Sequence, residues 1–124
     1  MFANTDAAAN LAVKDLARAR KFYEGTLGLK QVDAEGEELI VYQSGHSKIN
    51  VYRSKYAGTN KATAVTWQVD DVDNVVQQLK AKGIAFEHYD MPDTKLVGDV
   101  HVAGDMKVAW FKDPDGNILN IASG

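Results

Sequence analysis

The chain has 124 residues, 45% hydrophobic and 25% charged, with three histidines and no cysteine. That length suits one domain or two small modules sharing a core, able to bury roughly two thirds of the extended-chain surface without covalent staples. Disulfide frameworks, zinc fingers and thiol or iron–sulfur chemistry are excluded, and a formal net charge of −3 with scattered basic residues argues against a nucleic-acid partner.

The first residues, Met1-Phe2-Ala3-Asn4-Thr5-Asp6, lack the basic start and apolar run of a secretory signal, and no stretch approaches the roughly 18 apolar residues of a membrane helix. The expectation is a cytoplasmic protein with no membrane partner. Residues 7–13 alternate as a strand, with Ala9, Leu11 and Val13 on one face and Ala8, Asn10 and Ala12 on the other. Asp15 stands where an N-cap belongs, and Leu16, Ala19, Phe22, Tyr23 and Leu27 follow at helical spacing before Gly28. Strands are predicted at 29–34, 38–43 and 47–54, separated by Glu35-Gly36-Glu37 and by a turn at Ser44-Gly45-His46 that leaves His46 in solvent.

The polar stretch 54–61 reads as a linker, dividing a module at 1–57 from one at 58–124. The same order then returns. Val65, Trp67 and Val69 alternate with Ala64, Thr66 and Gln68, an acidic helix start lies at 71–73, Val72, Val75, Val76 and Leu79 make an apolar stripe, and Gly83 ends it. Strands are predicted at 84–89, 107–112 and 117–122. Residues 91–106 read as a long binding or lid loop with glycine hinges at Gly98 and Gly104. Val13-Lys14-Asp15-Leu16 matches Val69-Asp70-Asp71-Val72, and Ile49-Asn50-Val51 matches Leu119-Asn120-Ile121. The chain is thus read as a duplicated β-α-β-β-β unit of about 55 to 60 residues.

The run Leu11-Ala12-Val13-Lys14-Asp15-Leu16-Ala17-Arg18-Ala19-Arg20-Lys21-Phe22-Tyr23, the segment Phe111-Lys112-Asp113-Pro114-Asp115-Gly116-Asn117 and the repeat together resemble the vicinal oxygen chelate superfamily, which holds glyoxalase I, extradiol dioxygenases and the fosfomycin and bleomycin resistance proteins. The resemblance implies an α+β fold: two βαβββ modules whose curved mixed sheets surround a cleft, helices outside, commonly in a homodimer. Asp113 to Asn117 itself reads as a tight turn, since it lacks a calcium-loop frame.

Catalytic members of that superfamily hold a divalent metal with His, Glu or Gln from the first and last strands of each module. The matching positions here are Ala8, Asn50, Ala64 and Asn120, a donor set unsuited to a transition metal, so no cofactor is expected. Small residues (Ala8, Ala12, Ala64) alternating with polar ones describe a hollow that an organic ligand could fill. The alternative is that Tyr42, Tyr52, Trp110 or the long loop plugs it. The candidate ligand-binding residues are Asn10, Asn50, Tyr52, Thr66, Gln68, Trp110 and Asn120, although residues 107–112 show no clear polar face to place Trp110. Trp67 is assigned to the core.

The reading that follows is a metal-independent binder of a small organic compound, aromatic or cationic, in the manner of the drug-sequestering resistance proteins. The alternative is a glyoxalase-, isomerase- or lyase-like enzyme in which His88 or His101 serves as acid or base, or joins Asp99 in a non-standard metal site. A third reading is an interaction module with a filled cleft.

Overall fold

The alternation near the start of the chain becomes β1 (Ala8–Val13), with Leu11 and Val13 buried and Asn10 exposed on the opposite face. Asp15 caps α1 (Leu16–Arg20), its carboxylate accepting from the Ala17 and Arg18 N–H groups and so meeting amides that have no partner within the helix. Winding loosens to a π-helix over Lys21–Thr26, and Gly28 follows at a φ of 72°, a conformation that disfavours a side chain. In the computed structural model, which describes residues 1–124, this region belongs to the first of two compact units, Met1–Asn60 with Pro114–Asn117; the second is Lys61–Asp113 with Ile118–Gly124.

The first unit holds a four-stranded sheet in the order β1-β4-β3-β2, built with β2 (Lys30–Glu35), β3 (Leu39–Ser44) and β4 (Ser47–Arg53). β1 runs parallel to β4, and the other pairs are antiparallel. Leu11, Val13, Ile40, Ile49 and Val51 share the buried face with Phe22 and Tyr23 of the helix. Tyr42 lies on this buried face, fully enclosed, its hydroxyl donating to Glu24 at 2.8 Å. It therefore cannot plug the open face, as the sequence had allowed. Burial and the Glu24 carboxylate both raise its phenol well above the ordinary tyrosine value.

The turn Pro114–Asn117 packs as part of this unit. Asp115 accepts from the Lys14 N–H at 3.3 Å and pairs with Arg18 at 2.8 Å, its side chain only 2% exposed. The Asn117 amide donates to the Ala12 carbonyl at 2.8 Å. Gly58, at φ 77°, brings its backbone so near Asp115 that a Cβ there would sit 2.1 Å from the Asp115 carbonyl oxygen. The motif is a tight turn as read, and its side chains also fasten β1 and α1.

In the second unit β5 (Thr63–Gln68) leads to α2 (Val72–Ala81), capped by Asp71 through the Asn74 N–H. A six-stranded sheet follows in the order β5-β10-β9-β8-β7, with β6 (Phe86–Glu87) also on β9; the remaining strands are β7 (Lys95–Val97), β8 (Val100–Ala103), β9 (Met106–Lys112) and β10 (Ile118–Ser123). β10 is parallel to β5 and antiparallel to β9. Leu119, Ile121, Ala109 and Phe111 make the buried face with Val72, Val76 and Leu79, each large side chain contributing about 1.5–3 kcal/mol. Trp67 shares that face but is only half-buried.

The stretch 91–106 is not a lid loop. It carries two successive hairpins, closed where Val97 pairs with Val100 and Ala103 with Met106. Gly98 and Gly104, at φ 62° and 61°, open its two-residue turns, where positive φ matches the twist of the strands; they are not hinges. No helix is long and apolar enough to cross a membrane.

Candidate functional site

Each unit turns one sheet face away from its helix, and strand register decides what meets there. In the first unit Asn50 lies between Asn10 on β1 and Val41 on β3. The Asn50 amide donates to Asn10 Oδ1 at 3.2 Å, so an Asn50 N–H and the Asn10 oxygen satisfy one another. Tyr52 stands two residues along the same face, exposed, between Ala12 and Leu39. Ala8 is opposite Lys48, not Asn50.

In the second unit Asn120 lies between Thr66 and Trp110. This pairing resolves the placement of Trp110, which the sequence left open. Asn120 is 8% exposed, and its Oδ1 has no hydrogen-bond partner. Thr66 and Gln68 are exposed on the same strand face. Asn10, Asn50 and Tyr52 are thus grouped on one sheet, and Thr66, Gln68, Trp110 and Asn120 on the other.

Trp110 anchors an aromatic corner. Its indole N–H donates to Thr63 Oγ1 at 3.0 Å, which satisfies its one polar group and leaves the π-surface for packing. The Tyr89 ring stands nearly perpendicular to it, centroids 5.3 Å apart, and the His101 ring meets it edge-on at 4.9 Å. His101 is 3% exposed. Its Nε2 lies 3.0 Å from the Tyr89 N–H and 3.1 Å from the Tyr89 carbonyl oxygen, and either tautomer bonds one of these while Nδ1 stays buried without a partner. His101 thus holds the Tyr89 backbone in place. A pocket of about 300 Å³ opens at this corner, lined by Lys61, Ala62, Thr63, Tyr89, Met91, Trp110 and Ile118.

His88 is half-exposed, and its Nε2 lies 2.7 Å from Asp99 Oδ1, while Asp99 Oδ2 pairs with Lys80 at 2.8 Å. Lys80 and His88 together hold the Asp99 carboxyl below the usual carboxylate range. A second pocket of about 410 Å³ is lined by His88, Tyr89, Asp90, Met91, Thr94, Leu96 and His101. His46 is exposed in its turn. Lys61, Thr63 and Met91 carried no sequence signal as site residues, because only the fold gathers them around Trp110.

A divalent metal of the kind the resemblance implies does not fit these residues. Alanine at 8 and 64 offers no donor atom, a neutral amide oxygen at 50 or 120 is a weak ligand beside imidazole or carboxylate, and nowhere do three His, Cys, Asp or Glu side chains converge to hold an ion.

The fold matches a lactoylglutathione lyase from Agrobacterium tumefaciens with a TM-score of 0.73 at 18% identity, covering 98% of this chain and 94% of that one. It matches the fosfomycin resistance protein FosX from Listeria monocytogenes at 0.72 and 16%, covering 95% and 91%, and an integron cassette protein from the mobile metagenome of V. cholerae at 0.67 and 23%, covering 99% and 97%. A sequence profile of one family matches residues 6–121, nearly the whole chain, and shows that the chain belongs to the Glyoxalase/Bleomycin resistance protein/Dioxygenase superfamily.

Proposed function

We propose that this chain is a metal-independent small-molecule binding protein, its ligand held on the open sheet face of the second unit. The observation that carries the reading is the pocket at Trp110, walled by two perpendicular aromatic rings. Concave, largely apolar sites with a few polar groups are where small molecules bind, and aromatic walls offer large contact area for little conformational entropy. The absence of a suitable donor set at the superfamily's metal positions separates this role from that of metal-dependent relatives.

The test is metal analysis of protein purified without an affinity tag, together with thermal-shift and NMR screening of aromatic compounds. The expected result is stabilisation by an aromatic ligand recovered chemically unchanged, with no stoichiometric metal, and loss of that stabilisation in Trp110→Ala. Stoichiometric zinc, nickel or iron overturns the reading.

A second reading, an acid–base enzyme of lyase or isomerase type, rests on the His88–Asp99 contact, because a carboxylate that orients an imidazole makes it a competent proton acceptor. Conversion of a bound compound, abolished in His88→Gln, would establish it in place of the first.

A further inference from the structure

The charge pattern around the aromatic corner assigns a class of ligand. We infer that the pocket at Trp110 takes flat aromatic compounds bearing a carboxylate or other single anionic group, with the ring in the angle formed by Tyr89 and Trp110 and the anion at Lys61; this rests on the binding reading given above.

Three observations carry it. The first is shape: Trp110 and Tyr89 stand at 83° with centroids 5.3 Å apart, so a flat ligand stacked on one ring presents its edge to the other, the two arrangements aromatic pairs favour. Tyr89 cannot swing away freely, since His101 bonds its backbone and lies nearly parallel to its ring, 28° between planes. A preformed wall lowers the ordering cost of binding.

The second is the character of the lining. Trp110 has its N–H satisfied by Thr63, and Met91, Ala62 and Ile118 supply apolar surface, with Met91 and Tyr89 still exposed. A thioether beside aromatic rings accommodates a flat ring of varied outline.

The third is the sign of the charge. Lys61 is the one charged residue of the lining, and its ammonium has no carboxylate partner. The neighbouring acids do not offset it within the pocket: Glu87, opposite Trp110 on β6, is paired with Lys112 at 3.3 Å, and Asp90 lines the other pocket, beside His88. An unpaired ammonium at the mouth of an apolar pocket favours an anionic ligand and disfavours a cationic one. The cationic class allowed by the sequence is thereby set aside in favour of the aromatic anion.

The experiment compares 2-naphthoate, 2-naphthamide and a 2-naphthyltrimethylammonium salt, which share one ring system and differ in charge. Binding is followed by calorimetry and by the Trp110 indole N–H resonance at low ionic strength. The expected outcome is a shift of that resonance by the naphthoate, with binding about fivefold tighter than the amide and the cation weakest, the gap narrowing as salt is raised. Lys61→Ala removes the preference for the carboxylate and Lys61→Glu reverses it; Lys61 is exposed, so neither disturbs folding. Equal binding of acid and amide, or preference for the cation, overturns the charge assignment while the aromatic binding site stands. Failure of all three to move the Trp110 resonance at millimolar concentration overturns the site itself.

Discussion

Asn50 and Asn120 occupy the same place in the two units, the middle of a central strand on the face turned away from the helix, yet their surroundings differ. Asn50 is flanked by Asn10 and Val41 and bonded to the first; Asn120 is flanked by Thr66 and Trp110 and has a buried oxygen bonded to nothing. The buried faces diverge in the same way, with Tyr42 paired to Ile49 in one unit and Phe111 paired to Leu119 in the other. One topology thus carries a face whose asparagines are bonded to each other and a face whose asparagine oxygen is buried without a partner. Duplication supplies two equivalent frames, and the residues at three or four register positions decide which frame keeps a buried acceptor without a partner.

The largest test concerns how the first unit is held. Gly58 sits against the Asp115 carbonyl at positive φ, whereas Gly83, also at positive φ, has open space around its missing Cβ. Gly58→Ala meets both strain and backbone overlap and is expected to cost about 3 kcal/mol, against about 1 kcal/mol for Gly83→Ala. Urea denaturation of the two variants checks the difference, and equal costs would show that the Pro114–Asn117 turn does not fasten the first unit.

The second test removes what distinguishes Tyr42 from Phe111. Tyr42→Phe deletes a bond to a carboxylate that still pairs with Arg20, so the cost at pH 7 is about 1.5 kcal/mol. The phenol's raised native value means that the folded state holds its proton more tightly than the unfolded chain does. Its stabilisation is therefore intact below about pH 10 and is lost as pH rises above that, by about 1.4 kcal/mol at pH 11. Denaturation curves at pH 7 and 11 should show the variant and the parent converge; a constant gap would remove Tyr42 as the source of alkaline sensitivity.

Much of this architecture was legible in the sequence because it depends on local chemistry. Asp15 and Asp71 cap helices, Gly28 and Gly83 end them, and the paired Asn motifs mark the two central strands. The hairpin at 95–103 escaped because every residue of β7 is exposed, which erases the alternation that betrays a strand, and its turn glycines then look like hinges. The candidate site was half visible. Asn120 and Trp110 could be named, but the bond missing at Asn120 depends on register with β5 and β9, and the Lys61, Thr63 and Met91 lining joins residues far apart in sequence. His101, named as a candidate acid or base, is a buried residue that bonds the Tyr89 backbone.

The smallest effect comes from exchanging the residues that flank the two asparagines. Thr66 is exposed opposite Asn120, so Thr66→Asn enlarges no packed site and places an amide where Asn10 stands in the first unit. Its N–H groups offer the Asn120 oxygen a donor, the reverse of the first-unit bond, in which the Asn50 amide donates to Asn10 Oδ1. Satisfying a buried acceptor gains about 1–3 kcal/mol, and the poorer strand preference of Asn offsets up to about 1 kcal/mol, leaving a net stabilisation of about 1 kcal/mol. The reciprocal Asn10→Thr trades a solvent-exposed bond for a better strand former and should shift stability by less than about 0.5 kcal/mol. Chemical denaturation of both variants decides the matter: a stabilised Thr66→Asn beside a neutral Asn10→Thr means that the second unit forgoes stability at Asn120, and two neutral variants mean that the asymmetry carries no energetic weight.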